Sequence, residues 1–349
     1  MENPARRTAP EQFTTRIASG IIALMLLTAC APGDSSVATT VSAEQTSSSV
    51  PAAIAADDVE VVQLADRENG RWKLTGNPDW MVAAFGSLWV KLDFGPVLRV
   101  DPVTAEIVAE VDVGGDLCAG FGAAVEMIWT CFRETRDVPP VLAVIDPETN
   151  TVISRLDVPK SGEQSRLVEA DGRVWIITAS NDQLMGVDIA GNTTEPIDLG
   201  TPCSDLATDG ETVYVTCAGS GLVLAVNPQT RTVSEVANLP GARAMAVGED
   251  LFVGYNGGLA QIDRNTGRMI AVYEASPGTY GSVAINEDIW VGRRSPKLTR
   301  VDPERHVITE VIDAPELSGR GGDVLALEDS IWMTSFDDNI LVRIPADAP

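Results

Sequence analysis

An aromatic residue inside a short β-branched run recurs seven times along this chain, and that recurrence constrains the fold more than any other feature. The copies are Leu88-Trp89-Val90, Ile128-Trp129-Thr130, Val174-Trp175-Ile176, Val213-Tyr214-Val215, Leu251-Phe252-Val253, Ile289-Trp290-Val291 and Ile331-Trp332-Met333. Steps between the aromatics are 40, 46, 39, 38, 38 and 42 residues. A period in this range marks an array of supersecondary units that bury their apolar faces only by stacking on neighbours.

Each period holds four strand signals. About a dozen residues after the aromatic, a second run ends in Asp or Asn, as in Arg99-Val100-Asp101-Pro102, Val144-Ile145-Asp146-Pro147, Ala225-Val226-Asn227-Pro228 and Arg300-Val301-Asp302-Pro303. The side-chain oxygen can cap a turn there, and Pro presets its backbone. An alternating strand follows, such as Glu106 to Val111, and a strand of small residues precedes each aromatic, such as Met81 to Ala84. Four short strands per period near 42, with little helical periodicity, predict an all-β chain: a seven-bladed β-propeller of four-stranded blades. The blade aromatics fill the gaps between blades and are assigned to core. The seventh copy stops after Ile340 to Pro345 without its outermost strand, so a strand within Val59 to Leu64 or Arg71 to Thr75 is expected to complete it and close the ring.

Four cysteines fall inside the repeats. Cys118 and Cys131 are 13 apart, and Cys203 and Cys217 are 14 apart. In each pair one cysteine precedes an innermost strand and the other ends the adjacent strand, so antiparallel pairing sets them opposite each other. Two local disulfides, Cys118 with Cys131 and Cys203 with Cys217, are expected, and they require an oxidising compartment.

Export is indicated again at the N-terminus. Arg6, Arg7 and Arg16 precede an apolar run from Ile17 to Leu27, closed by Leu27-Thr28-Ala29-Cys30. The pattern resembles the lipobox of bacterial lipoproteins, which implies cleavage before Cys30 and a diacylglycerol on its thiol. The run is shorter than the roughly 20 apolar residues that span a bilayer. Residues 1–29 thus read as a lipoprotein signal peptide, 30–57 as a lipidated cysteine with an Ala/Ser/Thr-rich tether, and 58–349 as the propeller. The expected location is extracytoplasmic, on the membrane through Cys30, as a monomer. A formal charge of −25, from 25 Lys and Arg against 50 Asp and Glu, argues against nucleic acid as a partner.

The repeats, in segments such as Val144-Ile145-Asp146-Pro147-Glu148-Thr149-Asn150-Thr151-Val152, resemble YVTN-type and streptogramin-lyase-like propellers over nearly all of residues 80–349. The resemblance implies the fold strongly and a function weakly, since such blades serve many ends. In these propellers binding or catalysis uses the face that gathers the loops entering each innermost strand and those joining second to third strands. Counting nine residues back from each aromatic gives Trp80, Gly120, Arg166, Asp205, Arg243, Gly281 and Asp323 around that face. The other loops there add Asp93, Arg133, Arg136, Asp182, Tyr255, Arg293, Arg294, Phe336 and Asp337.

The ligand-binding set expected from this ring is Trp80, Arg166, Asp205, Arg243, Tyr255, Tyr280, Arg293 and Asp323. Guanidinium forks suit carboxylate, phosphate or sulfate, and the aromatics can stack on sugars. The competing reading is that Arg166 and Arg243 neutralise Asp205 and Asp323 across the channel mouth. A carboxylate-only metal site from Asp79, Asp205 and Asp323 is a third reading, opposed by the adjacent arginines.

Streptogramin lyases are known for a histidine base with supporting metal ligands on the working face. The single histidine here, His306, falls in a turn between outer strands, on the opposite face, so that catalytic pattern does not carry over. A sugar-lactonase-like calcium set of Glu, Asn and Asp is not identifiable either. The expectation is a noncatalytic module without cofactor or metal, binding a small anionic or glycan ligand or an envelope protein; the alternative is a metal-assisted lyase or lactonase.

Overall fold

A computed structural model of the protein describes residues 50–56, 59, 61–66, 69–93, 95–115, 120–133, 138, 140–157, 166–178, 180–275, 282–292, 297–317 and 322–346. Seven sheets form seven blades. The first comprises Pro78–Ala84, Ser87–Leu92, Val97–Val100 and Ile107–Val111, each strand antiparallel to the next. The innermost strands of blades two to seven are Phe121–Ala124, Val168–Ala170, Asp205–Thr208, Ala244–Val247, Val283–Ile285 and Val324–Leu327.

Blade seven takes its outermost strand, Gly70–Lys73, from the start of the chain, paired antiparallel with Ile340–Pro345. Of the two segments considered for closure, the later one performs it. The earlier one does something else: Val61–Gln63 adds a fifth, parallel strand to blade six, and Ala53–Ile54 does the same on blade five. Paired chain thus begins inside the stretch read as a tether.

The core lies between blades. Trp89, Trp129, Trp175, Trp290 and Trp332 are wholly buried, and Tyr214 and Phe252 nearly so. Trp175 of blade three packs with Leu206 and Val215 of blade four, and Trp290 of blade six with Val324 and Ile331 of blade seven. Truncating such a side chain typically costs about 3–5 kcal/mol.

The Asp and Asn turns behave as their composition dictates. Asp101 Oδ1 accepts the N–H groups of Val103 (2.8 Å) and Thr104 (2.9 Å), and Asn227, Asp263 and Asp302 repeat the arrangement. Four residues after each cap, the chain turns left-handed, at Ala105, Asn150, Arg231, Gly267 and His306, with φ between 54° and 69°. His306 occupies a position defined by turn geometry, exposed on the face away from the channel-entry loops.

A further repeated device is an arginine clamp. Arg99 faces Trp89 across two strands, its guanidinium 5.2 Å from the ring centroid. Its Nε donates to Ser87 Oγ (2.8 Å) and its Nη1 reaches Pro147 O of blade two (2.6 Å). Arg343 over Trp332 reaches Val103 O of blade one, and Arg300 over Trp290 reaches Ala346 O of blade seven. Gln261, opposite Phe252, bonds Pro303 O of blade six. The equivalent positions in blades two, three and four are Val144, Gly186 and Ala225, which cannot make this bond. Blade four is instead cross-linked by the expected Cys203–Cys217 disulfide. Cys131 of blade two is also disulfide-bonded; its expected partner Cys118 and the lipidation site Cys30 lie outside the described residues.

Candidate functional site at the channel mouth

Arg166 is aimed by the junction between blades two and three. Leu167 N–H donates to Phe121 O (2.9 Å), a bridge that sets Arg166 beside Phe121 at the channel wall. A Cβ on Gly122 would lie 1.8 Å from Leu167 O, so only glycine permits this approach. From there the side chain crosses the channel. Its Nη1 donates to Asp205 Oδ2 of blade four (3.2 Å), and its Nη2 donates to Ser282 Oγ of blade six (2.6 Å) and Asp323 Oδ1 of blade seven (2.7 Å). The guanidinium stacks 4.9 Å from the ring centroid of Trp80 in blade one. Asp323 in turn accepts Met81 N–H on Oδ2 (2.9 Å), joining blade seven to blade one.

One arginine therefore links five blades. Burial works against its charge, but Asp323 and Asp205 outweigh that and hold the proton more firmly than usual. With both carboxylates nearly inaccessible, Arg166 is committed to the protein. The neutralisation reading describes Arg166, and Trp80 presents a ring face to its guanidinium.

The cluster still carries surplus acid. Burial pushes the Asp205 carboxyl up to about 6, against the pull of Arg166. Backbone N–H groups of Leu206 and Arg166 lie close and favour its ionised form, yet neither makes a hydrogen bond of normal geometry to Oδ1. Asp205 Oδ1 and Trp80 Nε1 are buried polar atoms without a hydrogen-bond partner among the described residues. Nearby, Asp79 is pushed up to about 7 by burial and by Asp93 and Asp323, with Lys91 opposing. Lys91 is fully buried, its Nζ donating to Leu92 O (3.2 Å).

Arg243 enters blade five at the position where Arg166 enters blade three, with a different outcome. It is half-buried, and among the described residues no ion pair or side-chain hydrogen bond holds its guanidinium. It does not neutralise Asp205 or Asp323. Its backbone carbonyl accepts Thr216 Oγ1 (2.7 Å), and Thr216 is the direct cross-strand partner of Asp205, so the two charged residues flank one strand pair. Tyr255 ends the second strand of the same blade, half-buried with its hydroxyl pKa raised by burial, its ring packed over Gly257.

The structure thus gathers Trp80, Arg166, Asp205 and Asp323 around one guanidinium and places Arg243 beside them; Tyr280 and Arg293 lie outside the described residues. Among the described residues, no group of three or more His, Cys, Asp or Glu side chains could hold a metal ion, which removes the Asp79, Asp205 and Asp323 site. Sequence reasoning missed Ser282, which carried no signal, and Lys91, which did: a lysine inside the apolar run Leu88-Trp89-Val90-Lys91-Leu92.

The chain has the fold of virginiamycin B lyase. It matches the selenomethionine-substituted enzyme from Staphylococcus aureus at TM-score 0.66 and 12% identity, covering 80% of this chain and 99% of that one. A streptogramin B lyase structure matches at 0.66 and 13% identity, covering 81% and 98%. U3-55K reaches the same TM-score of 0.66 at 10% identity, covering 81% and 99%, so the likeness speaks for fold alone. A further match, at 0.64 and 13% identity over 80% of this chain and 99% of that one, is a catalytically inactive His-to-Ala variant of the S. aureus lyase with quinupristin. No family model matches the sequence, and no curated protein does.

Proposed function

We propose that this protein is a lipid-anchored, extracytoplasmic β-propeller that binds its ligand, without catalysis, at the channel mouth on the loop-bearing face. The observation that carries this reading is Arg243, a half-buried cation with no partner among the described residues, next to a buried carboxylate with an unfilled oxygen. Fixed charges of both signs around a concave opening are what ligand sites use to orient a guest. Anchoring rests on the lipobox-like Leu27-Thr28-Ala29-Cys30, and export is in keeping with the Cys203–Cys217 disulfide.

The competing reading is a metal-assisted lyase or lactonase, favoured by the fold likeness. In the lyase of Staphylococcus aureus a single His-to-Ala change accompanies the loss of catalysis. Here the sole histidine fills a turn position on the other face. A thermal-shift screen of the full chain against divalent metals, acidic sugars, phosphorylated metabolites, amino acids and small lactones separates the two. Metal-insensitive stabilisation that is lost in Arg243→Gln is the expected result. Turnover of a lactone or of quinupristin, abolished by chelator and restored by magnesium or calcium, would establish the enzyme instead.

A further inference from the structure

On the outer rim of the ring, the groove between successive blades is filled twice by the start of the chain and left open at the next blade. Between blades six and seven, Leu64 follows the added strand Val61–Gln63 and is wholly buried. It shares one cluster with Leu298, Ile312 and Ala314 of blade six and with Ile344 and Ala346 of blade seven. Ile54, Ala56 and Val59 pack in the same manner against the cluster that joins blades five and six. Between blades seven and one the corresponding place is a cleft of about 600 Å³. Arg300 and Arg343 stand opposite Trp290 and Trp332, which aligns the two blades residue by residue. On that alignment Leu341, Trp72 and Leu74 are the counterparts of Leu298, Ile312 and Ala314. These three line the cleft, facing Val100, Ala105 and Ile107 of blade one. The cleft is open to solvent, with Trp72 half-buried and Ile107 45% exposed. Beside it, Gly70–Lys73 is the edge of its sheet, whereas blades five and six carry a fifth strand at that edge.

We infer that this cleft receives one apolar side chain from an extended segment of a partner protein, which adds parallel to Gly70–Lys73 as Val61–Gln63 adds to blade six. Main-chain pairing along the edge supplies affinity in such a complex, and the cleft supplies selectivity. The charge at the edge sets the partner's composition. Arg71 and Lys73 are exposed and border the cleft, so acidic residues opposite them are favoured. Their present contacts, an ion pair with Glu316 and a bond to Asp338 O, lie at the surface, where a further carboxylate can join them. The chain's own first strands are already used on blades five and six. Lending them to a second copy would uncover Leu64, so the occupant is a different protein.

The test is fluorescence anisotropy of the full chain with a labelled synthetic peptide. Its sequence is that of residues 59–66 with Val61→Glu and Gln63→Glu, which sets acid opposite Arg71 and Lys73 and keeps Leu64 as the anchor. Saturable binding that weakens with salt is expected. Leu64→Asp in the peptide should lower affinity roughly ten- to a hundredfold, the value of burying one leucine side chain. Ile107→Glu in the protein, an exposed position that leaves the core intact, should lower it roughly tenfold, and hydrogen exchange should show new protection at residues 70–73. Absence of binding would overturn the inference, as would affinity indifferent to both changes. Loss of protection at residues 307–313 on adding peptide would show it displacing the chain's own strand, which also overturns it. Dimerisation of the free chain that Ile107→Glu abolishes would put a second copy in the cleft and remove the separate partner.

Discussion

Blades five, six, seven and one are held together differently from blades two, three and four. In the first group a polar side chain opposite the blade aromatic reaches the next blade's turn, through Gln261, Arg300, Arg343 and Arg99. The same group carries all three strands contributed by residues 53–73. In the second group those positions are Val144, Gly186 and Ala225, and disulfide bonding appears, in blades two and four. A ring closed by noncovalent pairing of its two ends is weakest at the seam, where the ends must find each other. Clamps concentrate at and beside that seam, whereas the continuous part of the chain is stapled within single blades. Arg166 reaches furthest across the two groups, from blade three to blades one, six and seven.

The comparison breaks most visibly at the tryptophans. Trp332→Ala in the clamped group is expected to cost about 3–5 kcal/mol, and about 1 kcal/mol more than Trp175→Ala, because it also strips Arg343 of its stacking surface. Urea unfolding of the two variants measures the difference, and equal losses would remove the clamp from the account.

Acid–base behaviour gives the next largest effect, and it draws on both groups, with Asp79 in blade one and Asp205 in blade four. Asp79 and Asp205, raised to about 7 and about 6, bind protons more tightly folded than unfolded. Their contribution is therefore complete below about pH 4 and is lost as pH rises towards 7, by up to about 4 kcal/mol for Asp79. The turn residues Asp101, Asp146 and Asp263 are held low by backbone N–H donors and act oppositely, losing their contribution only as pH falls below the usual carboxylate range. Stability should thus decline from pH 4.5 to 7.5, and Asp79→Asn should flatten that decline. Urea midpoints at the two values decide it, a wild-type midpoint that rises with pH being the contrary result.

In the stapled group, Cys203→Ser with Cys217→Ser is expected to cost about 3 kcal/mol, as for a loop of roughly 15 residues. Hydrogen exchange should show the loss concentrated in blade four. The smallest effect is Arg343→Lys, which keeps the charge but cannot bond Ser330 and Val103 at once in the guanidinium plane: about 1 kcal/mol, read from the urea midpoint.

Blade number, strand number, buried aromatics and the Cys203–Cys217 pairing were all legible in the sequence, because each recurs and repetition averages out local ambiguity. The clamps were legible in principle: Arg99-Val100-Asp101 and Arg300-Val301-Asp302 carry the arginine two residues before the turn cap. The fifth strands on blades five and six were not, since Ala53-Ile54 and Val61-Val62-Gln63 are too short to show a period and pair with strands over 200 residues away. At the channel mouth the sequence placed Arg166, Asp205, Arg243 and Asp323 on one face. It could not say that Arg166 is spent on Asp205 and Asp323 while Arg243 is not, because that division depends on how far each side chain crosses the channel.

The division between a structural and a ligand-facing arginine is the claim on which the rest depends, and thermal unfolding of Arg166→Met and Arg243→Gln side by side tests it most directly. Arg166→Met leaves two buried carboxylates unpaired at a cost of about 3 kcal/mol or more, a drop of roughly 6 °C or greater in Tm at pH 7.5. That drop should shrink at pH 5, where the Asp205 carboxyl, pushed up to about 6, takes up a proton. Arg243→Gln should melt with the wild type while losing ligand. If Arg243→Gln is the variant that falls and Arg166→Met is neutral, the assignment of the two arginines is wrong.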